Sequence, residues 1–89
     1  MNSRYAISYK FRRIDYDRGW TVLKVANFFH IVSLVNHTFF LQNEVLEWLL
    51  DYSNQNAFKA AFVLSSSQPL LVFKFKDRRI AVLFKITWL

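Results

Sequence analysis

The sequence predicts a small α+β domain in which two helices pack on a mostly antiparallel sheet. The chain has 89 residues, which is enough for one domain with a modest core. Several stretches alternate between apolar and polar residues, as half-buried strands do, and others repeat apolar residues at helical spacing. We therefore predict a single domain over residues 1–89, with a basic strand and arm (1–19) ahead of an α/β core (20–89). The predicted element order is β-α-β-α-β-β-β.

The first predicted strand covers residues 4–11. One of its faces carries a run of apolar and aromatic side chains, Tyr5, Ile7, Tyr9 and Phe11. A loop follows, marked by Asp15, Asp17 and Gly19, the single glycine of the chain.

A first helix is predicted from Trp20 to Val35. Its apolar residues lie at i, i+3, i+4, i+7 and i+10, namely Val22, Val25, Ala26, Phe29 and Val32. The segment is also rich in β-branched residues, so a pair of strands remains an alternative.

A second helix is predicted after a short extended piece from Thr38 to Gln42. Asn43 is the expected N-cap, and Glu44 and Glu47 lie in the first turn, where the helix dipole favours acidic groups. Apolar residues then repeat at helical spacing, and the polar run 53–56 ends the helix.

The last part of the chain is predicted to be all strand. Residues 58–64 alternate, residues 65–69 form a polar turn, and Leu70 to Leu89 is expected to be a hairpin of two strands joined near Asp77 and Arg78.

Charge and composition point to binding partners. The net charge is +6 and the pI is about 10, which favours nucleic acid, an anionic membrane surface or an acidic protein as a partner. The chain is 54% hydrophobic and 19% aromatic, more than a core of this size requires, so neighbouring proteins in an assembly are also expected.

Basic residues alternate with aromatic ones near both ends of the chain. Lys and Arg neutralise phosphates and exposed rings stack on unpaired bases, so such segments are typical of RNA binding. We predict these nucleic-acid-binding residues: Lys10, Arg12, Arg13, Arg18, Lys74, Lys76, Arg78, Arg79 and Lys85. A single phosphate-binding surface requires the fold to bring residues 10–18 close to residues 74–79. The alternative is that these cations only lie on solvated faces.

The sequence gives little support for catalytic activity, a metal site or a membrane span. The chain has no cysteine, and His30 and His37 have no partner motif for a metal. Ser65, Ser66 and Ser67 lack the glycines of a nucleophile elbow, and Asp15 and Asp17 lie among arginines. We expect no enzymatic activity, cofactor or small-molecule substrate. The uncharged stretch between Lys24 and Glu44 is interrupted by polar residues, so no membrane span is expected, and no apolar signal region is visible at the N-terminus.

The stretch from about residue 20 to residue 89 resembles the N-terminal half of the eighth protein of the small ribosomal subunit, of the bacterial and organellar type. The segment VANFFHIVSLVNHTFFLQNEVLEWLLDYSNQNAFKAAFVL would supply that family's helix, strand, helix and next strand, and PLLVFKFKDRRIAVLFKITWL resembles its hairpin. The family's Ser-Thr-Ser-rich second half is absent, and Leu41, Gln42 and Asn43 replace its Ser-Lys pair. The resemblance implies an RNA-binding role, but no specific residue of the family can be carried over.

Three functions follow from these observations. The first is a non-catalytic, basic RNA-binding or structural subunit of a ribonucleoprotein, for which the ribosome is one candidate, and it would contact RNA phosphates. The second is a small phage or mobile-element protein that inhibits a host enzyme by protein binding. The third is an endoribonuclease toxin. The expected location for the first function is intracellular, in the cytoplasm or an organelle matrix.

Overall fold

The computed structural model describes residues 5–10, 19–65 and 68–89, and it confirms the α+β class. The strands are β1 (Ser8–Lys10), β2 (Thr21–Val25), β3 (Val32–Val35), β4 (Thr38–Leu41), β5 (Phe58–Ser65) and β6 (Gln68–Phe75). The helices are α1 (Asn43–Tyr52) and α2 (Arg78–Trp88). The element order therefore differs from the predicted one, although two helices and a largely antiparallel sheet are both present.

Two sheets organise the described part of the chain. A four-stranded sheet has the order β1-β5-β6-β2, and β3 and β4 form a separate antiparallel pair. Within the larger sheet β5 and β2 run antiparallel to β6, whereas β1 runs parallel to β5. The mostly antiparallel character predicted from the sequence is confirmed.

The β5–β6 hairpin is the centre of the larger sheet. Its eight paired positions run from Phe58 opposite Phe75 to Ser65 opposite Gln68. Alternate residues of both strands point into the core, among them Phe62 and Phe73, which are almost fully buried. The other face of the hairpin is therefore the one that carries its lysines.

The predicted helix from Trp20 to Val35 is wrong, because this segment forms β2 and β3. All five residues of β2 pair with β6, and the amides of Ile31 and Val32 both donate to the carbonyl of Phe28 in a turn before β3. That turn places Val25, Phe28 and Ile31 in the core at intervals of three, which imitates a helical period. The β-branched residues favoured strands, as the alternative prediction allowed.

The β3–β4 hairpin closes through a two-residue turn. Asn36 and His37 both have positive φ, 49° and 66°, as a type I′ hairpin turn requires. The hairpin also binds the N-terminal segment, since the amide of Ile7 donates to the carbonyl of Phe39 and that of Leu41 donates to Tyr5. The extended piece predicted at residues 38–42 is confirmed as β4.

Helix α1 confirms the second predicted helix, but its N-cap is Gln42 and not Asn43. The Gln42 side chain makes no capping hydrogen bond. At the other end both the amide and the hydroxyl of Ser53 donate to the carbonyl of Leu49, which satisfies an unpaired group of the last turn. The helix is held by one apolar face, on which Val45, Leu46 and Leu49 are buried.

The predicted final strand is also wrong, because residues 78–88 form helix α2. Asp77 caps this helix by accepting a hydrogen bond from the amide of Arg79. Ala81 and Phe84 are buried at helical spacing, and the Phe84 ring packs against the rings of Phe73 and Phe75. Asp77 and Arg78 are not a residue pair that favours the positive φ angles of a tight hairpin turn, whereas aspartate is a strong N-cap, and this explains why a helix starts here.

The core joins both sheets to the helical layer. The rings of Phe28, Phe39 and Phe62 contact one another edge to face. The ring centres of Trp48 on α1 and Phe84 on α2 are 5.7 Å apart. Among the described residues no polar or charged side chain is buried. The core is thus almost entirely aliphatic and aromatic.

Neither helix in the described ranges has the length and apolarity needed to cross a membrane. Helix α1 has 10 residues and α2 has 11, against roughly 20 for a span.

Candidate nucleic-acid interface

Three lysines lie on the face of the larger sheet that is turned away from the helices. Lys59 of β5 and Lys74 of β6 are direct cross-strand partners. Lys74 is also opposite Val22 of β2, and Lys24 lies two residues further along the same strand and so on the same face. Lys24 and Lys59 are exposed and Lys74 is half-buried. We call this group, with Lys76, the lysine face.

Trp20 organises one end of the lysine face. The Nζ atom of Lys59 lies 4.9 Å from the centre of the Trp20 ring, and that of Lys76 lies 5.6 Å from it. Each such cation–π contact is worth about 0.5–1 kcal/mol at an exposed site. The half-buried ring therefore holds two ammonium groups close together against their mutual repulsion.

The backbone on either side of Trp20 determines where its ring lies. Gly19 has a φ of +83°, a conformation that side-chain-bearing residues rarely adopt, and β2 begins directly after Trp20. Because Thr21 pairs with Phe75, the register places Trp20 beside the end of β6, where Lys76 follows. The ring and the two lysines thus meet at the corner where three strands end or begin.

Asp77 and Arg79 form a salt bridge at the start of α2. The Asp77 carboxylate accepts hydrogen bonds from Nε of Arg79 at 3.2 Å and from Nη2 at 3.1 Å, in addition to the capping bond. These bonds lower the pKa of Asp77 and raise that of Arg79. Arg79 therefore has a local structural role at the cap although it is exposed, as is its neighbour Arg78 on the first turn.

Lys85 does not belong to the lysine face. It lies in the last turn of α2, next to Phe84, whose ring packs on the core side of the sheet. Lys74 lies between Phe73 and Phe75 on β6 and therefore points to the other side. Lys85 therefore lies on the helical side of the larger sheet, together with Arg78 and Arg79 of α2, and Lys74 lies on the other side.

The N-terminal cations are only partly within the described ranges. The backbone of Lys10 pairs with Val63, four residues along β5 from Lys59, a distance of about 13 Å along the strand. This register places Lys10 near the opposite end of the sheet from Lys74 and Lys76. Arg12, Arg13 and Arg18 lie outside the described residues, and so do Asp15 and Asp17.

The structure thus assembles only some of the residues predicted from the sequence. Lys74 and Lys76 lie on one face with Lys24 and Lys59, which the sequence alone does not single out. Alternation along β2 and β5 would have indicated their face, since each lies one residue from a buried core position. Their closeness to Lys74 required the strand register, which the sequence pattern does not contain.

Other groupings are less suited to binding. Within the described residues no cluster of three or more histidine, aspartate and glutamate side chains could hold a metal. Nε2 of His30 donates to the carbonyl of Trp88, and His37 lies in the β3–β4 turn. A groove of about 290 Å³ beside β4 and the start of α1 carries a single charged residue, Glu44.

Comparison of the chain with known protein families, with curated proteins and with solved structures finds no match.

Proposed function

We propose that the protein is a non-catalytic RNA-binding subunit that contacts RNA phosphates through the lysine face. The observation that carries the proposal is the convergence of Lys59 and Lys76 on Trp20, with Lys74 directly opposite Lys59. Three cations from two strands therefore lie at one corner of the sheet.

Cations in such an arrangement favour a polyanionic ligand. Like charges directly opposite each other on antiparallel strands repel, and an anion placed between them reverses the sign of that interaction. A phosphodiester backbone offers repeated single charges to such a group of cations. The overall charge of +6 adds long-range attraction for such a ligand.

The geometry supports binding with little sequence preference. The ring of Trp20 already faces two ammonium groups, and these compete with a base for stacking on it. Phosphate contacts position a nucleic acid without reading its sequence. An architectural role in a ribonucleoprotein fits this mode better than recognition of a base sequence.

The resemblance to the ribosomal family remains a prediction and does not carry this proposal. The segment that resembles the family's first helix forms the strands β2 and β3. The segment that resembles its final hairpin forms a strand followed by helix α2. The RNA partner is instead argued from the charges of the folded protein.

The test is binding of a fluorescently labelled single-stranded RNA, measured by anisotropy over a series of salt concentrations. We expect binding at low salt that weakens as salt rises, with a slope of about −0.7 for each neutralised phosphate. The variant Lys76→Glu should weaken binding by about tenfold or more and reduce the slope.

Lys85→Glu is the matched control, because it makes the same charge change on the helical layer. It should alter binding much less than Lys76→Glu. The proposal fails if RNA does not bind at low salt, if binding is independent of salt, or if both variants have equal effects.

A further inference from the structure

The outward side of α2 is apolar. Val82, Ile86 and Leu89 are 50%, 76% and 48% exposed, and at 3.6 residues per turn they lie roughly opposite the buried Phe84. A surface helix normally carries polar residues there, so α2 is apolar on two opposite sides. Exposed apolar side chains that are contiguous, unlike isolated ones, mark a contact surface.

The charges beside this apolar stripe are positive. Arg78 and Lys85 are exposed on α2 and lie along one side of the stripe. Asp77, the nearby acid, is already bound to Arg79. A partner for this face therefore needs an apolar surface bordered by acidic groups.

The neighbouring helix of the same protein has those properties. Helix α1 touches α2 through Trp48 and Phe84, and its exposed residues include the acids Glu44, Glu47 and Asp51 together with Leu50, which is 40% exposed. Arg79 is paired with Asp77, and in the part of the chain that the structure describes no ion pair involves an acid of α1. The helical layer thus presents a basic apolar helix beside an acidic one.

We propose that this layer is the interface of a homodimer, in which α2 of each copy packs on α1 of the other. A two-fold interface uses the same patch on both subunits, so that patch must contain both complementary halves. The pairing of α1 with α2 of the second copy places acids beside bases at both symmetry-related contacts. If α2 packed on α2 of the second copy, the cations Arg78 and Lys85 of one helix would approach the same cations of the other and repel them.

This inference does not rest on the RNA-binding function. Phe84 packs on one side of the sheet and Lys74 points to the other, so the helical layer and the lysine face are on opposite sides. Loss of one property should leave the other intact.

Sedimentation equilibrium over a range of protein concentrations tests the proposal. We expect reversible association from the 10.7 kDa monomer to a dimer of twice that mass. The variant Ile86→Lys should raise the dimer dissociation constant at least about tenfold, because it places a charge in the apolar stripe. Leu34→Lys, at another exposed aliphatic residue (60%) on β3, should leave it nearly unchanged.

A charge exchange tests the pairing of helices. Lys85→Glu and Glu47→Lys should each weaken the dimer, and the double variant should regain most of the lost affinity. Circular dichroism confirms that each variant is folded. Titration of Ile86→Lys with RNA in the same buffer separates this proposal from the one on function, since RNA binding should persist.

Three results would overturn the dimer. They are a monomer at all concentrations, a dimer that Ile86→Lys does not weaken, and a double variant that remains as weak as the single ones. A monomer that retains a different protein through this face would instead favour the enzyme-inhibitor alternative raised by the sequence.

Discussion

The Nζ atom of Lys59 lies 4.9 Å from the centre of the Trp20 ring, although the two residues are far apart in the sequence. The contact joins the residue before β2 to the start of β5, and β6 lies between these two strands in the sheet. Trp20 therefore serves both the packing of the sheet corner and the spacing of its charges.

The first prediction concerns this ring. Trp20→Leu removes the cation–π contacts of both Lys59 and Lys76, and we expect a loss of about 1–2 kcal/mol in the free energy of unfolding. RNA affinity should fall severalfold, because the ammonium groups are no longer held together. Chemical denaturation and anisotropy measure the two effects.

Trp20→Phe is the control, since it keeps an aromatic face with a weaker attraction for cations. It should lie between the wild type and Trp20→Leu in both measurements. Equal behaviour of the two variants would show that the ring acts only by its apolar surface.

The second prediction concerns Phe84, which is fully buried between the helical layer and the sheet. Phe84→Ala leaves a cavity beside Phe73 and Phe75, and we expect it to destabilise the protein by about 3–5 kcal/mol. Urea denaturation gives the free energy. Ile86→Ala, two positions away on the exposed side, should change the stability of the monomer by less than about 0.5 kcal/mol; a comparable loss would contradict the placement of α2.

The third prediction concerns the pH dependence of the α2 cap. Hydrogen bonds from Arg79 lower the pKa of Asp77 below its ordinary value of 3.8. The folded protein therefore holds this proton less tightly than the unfolded chain, and the charged cap stabilises the fold above about pH 3.8 and loses that effect as the pH falls further.

Thermal unfolding of Asp77→Ala across pH measures that contribution. The variant should unfold at a lower temperature than the wild type at pH 7, and the difference should shrink at acidic pH. Asp77→Asn keeps a capping oxygen without the charge and should be less affected. A difference that is independent of pH would exclude the charge as its cause.

The fourth prediction concerns the β3–β4 turn. His37 has a φ of 66°, a left-handed conformation that is unfavourable for most residues and natural for glycine. His37→Gly creates the Asn-Gly pair preferred in type I′ turns and should stabilise the protein by about 0.5–1 kcal/mol, because relief of the left-handed conformation exceeds the entropy cost of glycine. His37→Ala, which retains the strained conformation, should give no gain, and a gain of the same size would refute this account.

The sequence predicted the elements whose signals are local. Helix α1 has an acidic residue, Glu44, in its first turn and a regular apolar face, and β5 alternates clearly, so the sequence predicts both close to their actual bounds. The N-cap was misplaced by one residue because Asn43 has the better capping side chain but lies inside the helix.

The missed elements depended on contacts between distant parts of the chain. Residues 21–25 form a strand because β6 offers them a pairing edge, and the turn at Phe28 gave the segment its misleading helical spacing. For residues 78–88 the cap at Asp77 was visible, but the apolar residues on both sides of α2 obscured its helical periodicity. The lysine face was half predicted for the same reason, since Lys59 joins Lys74 only through strand register.

The parallel pairing of β1 with β5 has a consequence for synthesis on the ribosome. The hydroxyl of Tyr5 accepts a hydrogen bond from the amide of Ala60, a residue 55 positions later. At usual translation rates the N-terminal strand emerges roughly 3 to 11 seconds before its neighbour. During that interval the Tyr5 side chain has neither the Ala60 amide nor the Phe58 ring to pack against, so this edge of the larger sheet can form only after β5 has been synthesised.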